Sequence, residues 1–343
     1  MAKKKPIQEY QVKDKDERLA LLRKTAREIN KNAGLETLHF GDEHKAVQKI
    51  PFGFEPIDDL LGGGIPYGNF FTIWGSPGCG KSTLAHMLTA SAQKQGKLVY
   101  YIALEPYDQA RARQFGVDTD KLLLGEFPQA EQSLDTIIEF SKKKLVDLII
   151  LDSVHSLSPK GEQQDKKGEK SVGDDTMALL ARKLSQFFRM SIDPVKRGNV
   201  AVLLIGQTRI GLNGIFAIEQ LSGGNALHHF SKGIVHLRKG QKADAPTEKQ
   251  ETGSLTKSGN KSYETIQIGF DCVAKVDKCQ IEGMSSEGST VHTPFYYKTG
   301  FYLPEHIKKE IEDEDAEIEA QEKKDSDESK KDSSKKSDKT TGK

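Results

Sequence analysis

Apolar residues recur along this chain in two rhythms, with polar blocks between them. From Asp16 to Ala33, Leu19, Leu22, Ala26 and Ile29 return at steps of three and four, the spacing of one helical face. An amphipathic helix is predicted there, with Asn32, Ala33 and Gly34 as its stop. One apolar stripe needs a surface to cover, either in its own domain or on a neighbouring subunit. The second rhythm begins near Ile50. Four short, nearly unbroken apolar runs, Phe70–Trp74, Leu98–Ala103, Leu145–Leu151 and Val200–Ile205, alternate with helix-compatible sequence. That alternation predicts an α/β fold, a mainly parallel sheet flanked by helices and covered on both faces. The clearest of those helices is Asp175–Ile192, where Met177, Leu180, Leu184, Phe187, Phe188 and Ile192 share a face. Beyond Gly240 the pattern loosens. Residues 240–262 offer almost nothing to bury and read as a long exposed loop; strand-like runs return at Thr265–Val276 and Val291–Tyr297. From about Glu310 the chain is nearly all Glu, Asp, Lys and Ser, too poor in apolar surface to order itself. Three regions follow: a basic arm and helix (1–48), an α/β core (49–305) and a charged, disordered tail (306–343).

Composition changes this picture little. With 36% hydrophobic and 29% charged residues the chain can build a real core, and a net charge of +1 gives no argument for nucleic acid. No apolar stretch is long enough to span a bilayer, and the basic start MAKKKPIQEY lacks the apolar block of a secretory signal. Cys79, Cys272 and Cys279 show neither metal-ligand spacing nor a disulfide framework, so a reducing cytoplasm is the simplest compartment.

The chemistry concentrates after the first apolar run. Gly75-Ser76-Pro77-Gly78-Cys79-Gly80-Lys81-Ser82, with Thr83 following, fits G-x-x-x-x-G-K-[ST] between a strand and a helix. Glycines let successive amides curl around phosphate oxygens, and the helix start adds partial positive charge. Lys81 then reaches the β- and γ-phosphates and the Ser82 hydroxyl ligates Mg2+, so ATP and Mg2+ are the expected cofactors. A chance glycine turn would explain the glycines but not the lysine and hydroxyl beside them. Asp152 closes the apolar run from Leu148, where a carboxylate would stand beside the magnesium; alone it would read as a cap on the next turn. Glu105 lies just past its strand, at the edge where open α/β sheets bind ligands, and there a carboxylate can orient and deprotonate water.

Phosphate loops serve kinases, helicases, transporters and GTPases alike, so further residues must name the job. Asp152-Ser153-Val154-His155-Ser156-Leu157-Ser158-Pro159-Lys160 resembles the segment leading into the first DNA-binding loop of the RecA recombinase family. Gly206-Gln207-Thr208-Arg209 is similar to the strand tip that carries the family's γ-phosphate-sensing glutamine. Gly223-Gly224-Asn225-Ala226-Leu227 resembles the element closing its second DNA-binding loop, and Ala112–Asp118 looks like the segment after its catalytic glutamate. The resemblance runs in order from about Leu19 to Tyr302. It implies a DNA-dependent ATPase that forms a helical filament on single-stranded DNA and exchanges strands with homologous duplex. Lys81, Glu105 and Gln207 would be the catalytic set. Single- and double-stranded DNA, copies of the chain itself, and single-strand-binding or mediator proteins are the partners implied, in a bacterial or phage-infected cytoplasm.

The loops are compatible with that reading. Loop one, Pro159–Asp174, carries Lys160, Lys166, Lys167 and Lys170 among acidic residues, a pattern that suits phosphate contact and a merely solvated loop equally. Loop two, Thr208–Ser222, holds Arg209, Gly211, Gly214, Ile215 and Phe216, where glycines permit close approach and an apolar pair can wedge between bases. Gly223, Gly224 and Asn225 follow it. Lys275 and Lys278 fall near the family's lysines that reach across the subunit interface to ATP. Two departures stand out. Only a charged tail follows Tyr302, where bacterial members carry a small globular domain, and Arg111 occupies the place of a tyrosine near the adenine. A closed-ring ATPase or helicase of KaiC-like type, and an ATP-binding recombination mediator without strand exchange, are the alternative functions.

Overall fold

The computed structural model describes residues 14–33, 38–41, 47–165, 168–169, 179–213, 216–221, 225–255 and 261–302. The expected charged tail lies outside them. Two compact units are present, divided between Val47 and Gln48. The first contains α1 (Lys15–Ala33), which has no buried residue; Leu19, Leu22 and Ile29 are exposed along its stripe. Asn30 clasps Leu38 through both backbone groups.

The second unit opens on the antiparallel pair β1 (Lys49–Ile50) and β2 (Ile65–Pro66), with α2 (Glu55–Leu60) between them. Then come β3 (Phe70–Gly75), α3 (Lys81–Lys94), β4 (Val99–Ala103), α4 (Gln109–Gln114), β5 (Leu122–Gly125), α5 (Ala130–Lys143) and β6 (Leu148–Asp152). Short α6 (Lys160–Gln163), β7 (Gln164–Asp165) and β8 (Gly168–Glu169) precede α7 (Leu179–Gly198). The chain continues through β9 (Ala201–Asn213), β10 (Phe216–Leu221), α8 (Asn225–Phe230), β11 (Ser231–Lys239), β12 (Thr247–Leu255), β13 (Lys261–Gln267), β14 (Gly269–Cys279) and β15 (Thr290–Tyr296).

Nine of these strands form one sheet in the order β15-β14-β11-β3-β9-β6-β4-β5, with β10 paired to the far part of β9. The six strands from β11 to β5 run parallel; β14 and β15 join antiparallel at one edge. Strand alternation splits the apolar residues between two layers. Ile73, Tyr101, Leu148, Ile150 and Leu203 pack with α2 and α3, while Tyr100, Ile102, Ile149, Leu151 and Leu204 pack with α5 and α7. This is the two-sided burial that the unbroken apolar runs predict.

Several expectations need correction. The helix expected to end at Ile192 continues through Pro194 to Gly198, because burial of Pro194 and Val195 outweighs the backbone bond that proline cannot make. Residues 240–262 are not one long loop: β12 and β13 pair into a hairpin whose polar residues satisfy each other's backbone groups. The expected run Thr265–Val276 accordingly divides at Ile268, between a hairpin arm and a sheet strand. Loop two is also largely a hairpin, with Phe216 to Leu221 pairing back onto Asn213 to Thr208. No helix among the described residues is long and apolar enough to cross a membrane.

One lysine stitches the start of this unit to its far end. Lys49 Nζ donates to the carbonyls of Leu61 (3.3 Å), Gly62 (2.7 Å) and Glu282 (2.6 Å). Lys49→Met keeps the stem but leaves the three carbonyls without their cation. The expected cost is about 2 kcal/mol, read as a lower denaturant midpoint, since charge-assisted bonds contribute about 1.5–3 kcal/mol. An unchanged midpoint would show that the clasp is idle.

Candidate nucleotide-binding site and its neighbouring loops

Parallel strands deliver their carboxyl ends to one rim, and the chemistry-bearing residues gather there. Strand β3 ends at Gly75, where a Cβ would lie 2.0 Å from the carbonyl oxygen of Leu237, so only glycine lets the strand turn. The turn closes at Gly80, whose φ of 99° is in the left-handed region. Helix α3 then starts with no side-chain cap on its first amides. Such amides form a site for an anion. Lys81, 8% exposed, folds back over the loop and donates to the carbonyls of Gly75 (2.9 Å) and Ser76 (2.8 Å). Its ammonium is thus held in the cradle by weak acceptors that phosphate oxygens outcompete.

Asp152 ends β6, buried, and lines the same cleft as Ser82. Burial pushes its carboxyl above the ordinary value, opposed chiefly by the bond from the Tyr101 hydroxyl. Among the described residues no group of three or more His, Cys, Asp or Glu could cage a metal. Ser82 and Asp152 offer a hydroxyl and a carboxylate on one cleft, a donor set that suits magnesium, which takes one or two protein oxygens and finds its other ligands in phosphate and water. The peptide bond following Asp152 is cis.

Glu105 sits across the cleft as the hub of a network. Its Oε1 accepts from Ser153 Oγ (2.8 Å), Ser156 Oγ (3.3 Å) and Gln207 Nε2 (2.7 Å). Gln207 lies on β9 where the strand leaves the sheet for its hairpin with β10. A cleft of about 300 Å³ joins the loop at Pro77 and Gly78 to Glu105, Asp152, Gln207 and Arg111. Arg111 lies on α4, capped by Asp108, with its guanidinium 5.3 Å from the Phe115 ring. On the inner wall His86 is buried against Tyr101, Tyr107 and Phe115, and burial lowers its pKa to about 4, so the imidazole is neutral.

The structure thus brings Gly75 to Thr83, Asp152, Glu105 and Gln207 to one rim. Cys79 is fully buried beneath the loop, and burial raises its thiol pKa, so the thiolate that redox chemistry requires is scarce. Arg209 is exposed at the root of the hairpin, Lys160 is exposed at the start of α6, and Asn225 opens α8. Gly211 lies in β9 and Phe216 opens β10. Lys166, Lys167, Lys170, Gly214, Ile215, Gly223 and Gly224 lie outside the described residues. Lys275 pairs with Asp277 at 3.4 Å. Lys278, 7% exposed, donates to the carbonyls of His228 (2.5 Å) and His229 (3.2 Å), so within this chain its ammonium caps α8.

Sequence reasoning missed four contributors. Tyr101 donates to Asp152 Oδ2 at 2.7 Å; nothing in the sequence marked its hydroxyl. Phe295 and Phe301 close over the phosphate loop, about 3 Å from where a Gly80 side chain would stand, a contact more than two hundred residues long in sequence. Trp74, 6% exposed, stacks on His236 with centroids 3.8 Å apart and donates through Nε1 to Asp277 Oδ2 at 2.9 Å. Glu219 of β10 lies 3.4 Å from His236 Nε2.

Comparison with known proteins places this site in context. The RecA N-terminal domain family matches residues 20–261. The chain is similar to Protein RecA of Sulfurovum sp. (strain NBC37-1), 37% identical over 219 residues that make up 62% of each chain. It is 34% identical over 230 residues to Protein RecA of Psychrobacter arcticus, covering 65% of this chain and 64% of that one. Protein RecA of Campylobacter lari is 35% identical over 217 residues, 62% of each. The matched region thus spans less than two thirds of these relatives.

Proposed function

Because this chain belongs to the RecA family, we propose that it is an ATP-dependent recombination and repair protein. In this reading it assembles with copies of itself into a filament on single-stranded DNA and exchanges that strand with homologous duplex. The observation that carries the reading is the 2.7 Å bond from Gln207 Nε2 to Glu105 Oε1. It joins the carboxylate suited to activating water to the root of the hairpin expected to meet DNA.

The parts divide the work. Backbone amides of the loop and the Lys81 ammonium bind and orient the triphosphate. What magnesium supplies, held by Ser82 and Asp152, is neutralisation of charge on the phosphate oxygens. Glu105 orients water and takes its proton. Drawing the Gln207 amide from Glu105 to a γ-phosphate oxygen frees that carboxylate and moves the hairpin root at the same time, so nucleotide state and DNA grip change together. Arg209 and Lys160 are exposed for phosphate contacts.

Hydrolysis measured with and without single-stranded DNA tests this reading. DNA is expected to stimulate turnover strongly, with weak sequence preference. Affinity should fall with salt at a slope of about −0.7 per phosphate neutralised. Turnover indifferent to DNA would overturn strand exchange in favour of a closed-ring ATPase, and nucleotide binding without turnover would point to a mediator.

A further inference from the structure

The carboxylate of Asp152 is held by a residue to which no role has yet been given. Tyr101 stands on β4 facing α3, whereas its neighbour Tyr100 faces α5 and α7. The Tyr101 side chain is almost wholly buried, and its hydroxyl donates to Asp152 Oδ2 at 2.7 Å. The ring cannot swing aside. It is stacked on His86 with centroids 5.8 Å apart and meets Tyr107 edge-on at 5.1 Å.

A cavity of about 130 Å³ opens beside this pair, walled in part by Ser82, Ala103, Glu105 and Asp152. Ala103 ends β4 with only a methyl group, so no competing side chain fills the space next to the carboxylate. The cavity is polar and roomy enough for several ordered waters. That suits a cation that gives up its hydration shell reluctantly and takes few protein ligands. The aim of Asp152 then decides how well such a cation is held.

We propose that Tyr101 is a positioning residue for the divalent cation. Its hydroxyl occupies one oxygen of Asp152, fixes the plane of the carboxylate and leaves the other oxygen for the cation and its waters. The inference rests on reading the cradle as a magnesium–nucleotide site, and it assigns a particular phenol to that site's metal affinity. A tyrosine suits the task better than a charged residue: it stays protonated and donates one bond without adding charge beside the metal.

The test is binding of a fluorescent ATP analogue to the full chain, titrated with Mg2+, for the wild type, Tyr101→Phe and Tyr100→Phe. Tyr100 is the matched control, because it too is buried and loses one hydroxyl bond, to Thr136 at 3.0 Å, on the opposite face of the sheet. Tyr101→Phe is expected to raise the Mg2+ midpoint by about tenfold, the lower end of what supporting bonds to metal ligands contribute. Affinity in EDTA should stay as in the wild type, and Tyr100→Phe should leave the midpoint in place. An unmoved midpoint in Tyr101→Phe, or an equal shift in both variants, overturns the assignment. A wild type whose nucleotide binding ignores Mg2+ would instead bring down the reading of the cradle itself.

Discussion

Lys81→Ala is expected to lose nucleotide turnover almost completely, with kcat/KM down by at least about 10²–10³-fold, the range set by removing one preorganised charge-stabilising donor. The geometry explains why the loss should be chemical rather than structural. The ammonium is held on the carbonyls of Gly75 and Ser76, and the turn itself is built by Gly75 and Gly80, neither of which needs the lysine. The variant should therefore unfold near the wild-type temperature while binding of a fluorescent ATP analogue collapses. Wild-type ATPase activity in that variant would refute the site assignment.

Glu105→Gln should separate binding from chemistry. Glutamine has the same shape, and its amide oxygen can still accept from Ser153, Ser156 and Gln207, so the network that holds the side chain survives. It cannot take a proton from water. Nucleotide affinity is expected to stay within a few-fold of wild type while hydrolysis falls by about 10²–10⁴-fold, the usual contribution of a general base. If hydrolysis releases DNA, this variant should stay bound to single-stranded DNA for as long as ATP is present. Rapid release from it in ATP would show that another group activates the water.

What the sequence made legible were features that local chemistry writes into adjacent residues. Gly75 to Ser82 spell a turn, a charge and a hydroxyl within eight positions, and Leu148 to Asp152 spell a buried strand ending in a carboxylate. The sheet followed from apolar runs too continuous to have a wet face. Glu105 was marked by its place just past a strand's carboxyl end, a general signal that the family resemblance after it supported. The parts that stayed hidden depend on distant pairing. Tyr101 finds Asp152 only because β4 and β6 are neighbours in register. Phe295 reaches the phosphate loop from a strand at the sheet's other edge. The two hairpins were hidden differently: backbone bonding stabilises β12–β13 and β9–β10, and composition carries no record of which backbone pairs with which. Lys278 reads as a free cation until the fold brings the end of α8 to it.

Trp74 is the only tryptophan in the chain. It precedes the first residue of the phosphate loop and lies in strand register with Gly206 beside Gln207, and its indole stacks on the imidazole that faces Glu219 of the hairpin. Indole emission responds to local polarity, so this protein carries a native optical probe where the phosphate loop meets the root of the hairpin. Stopped-flow traces of that single emitter would time, without any label, the movement that the proposed coupling expects when nucleotide or DNA is added.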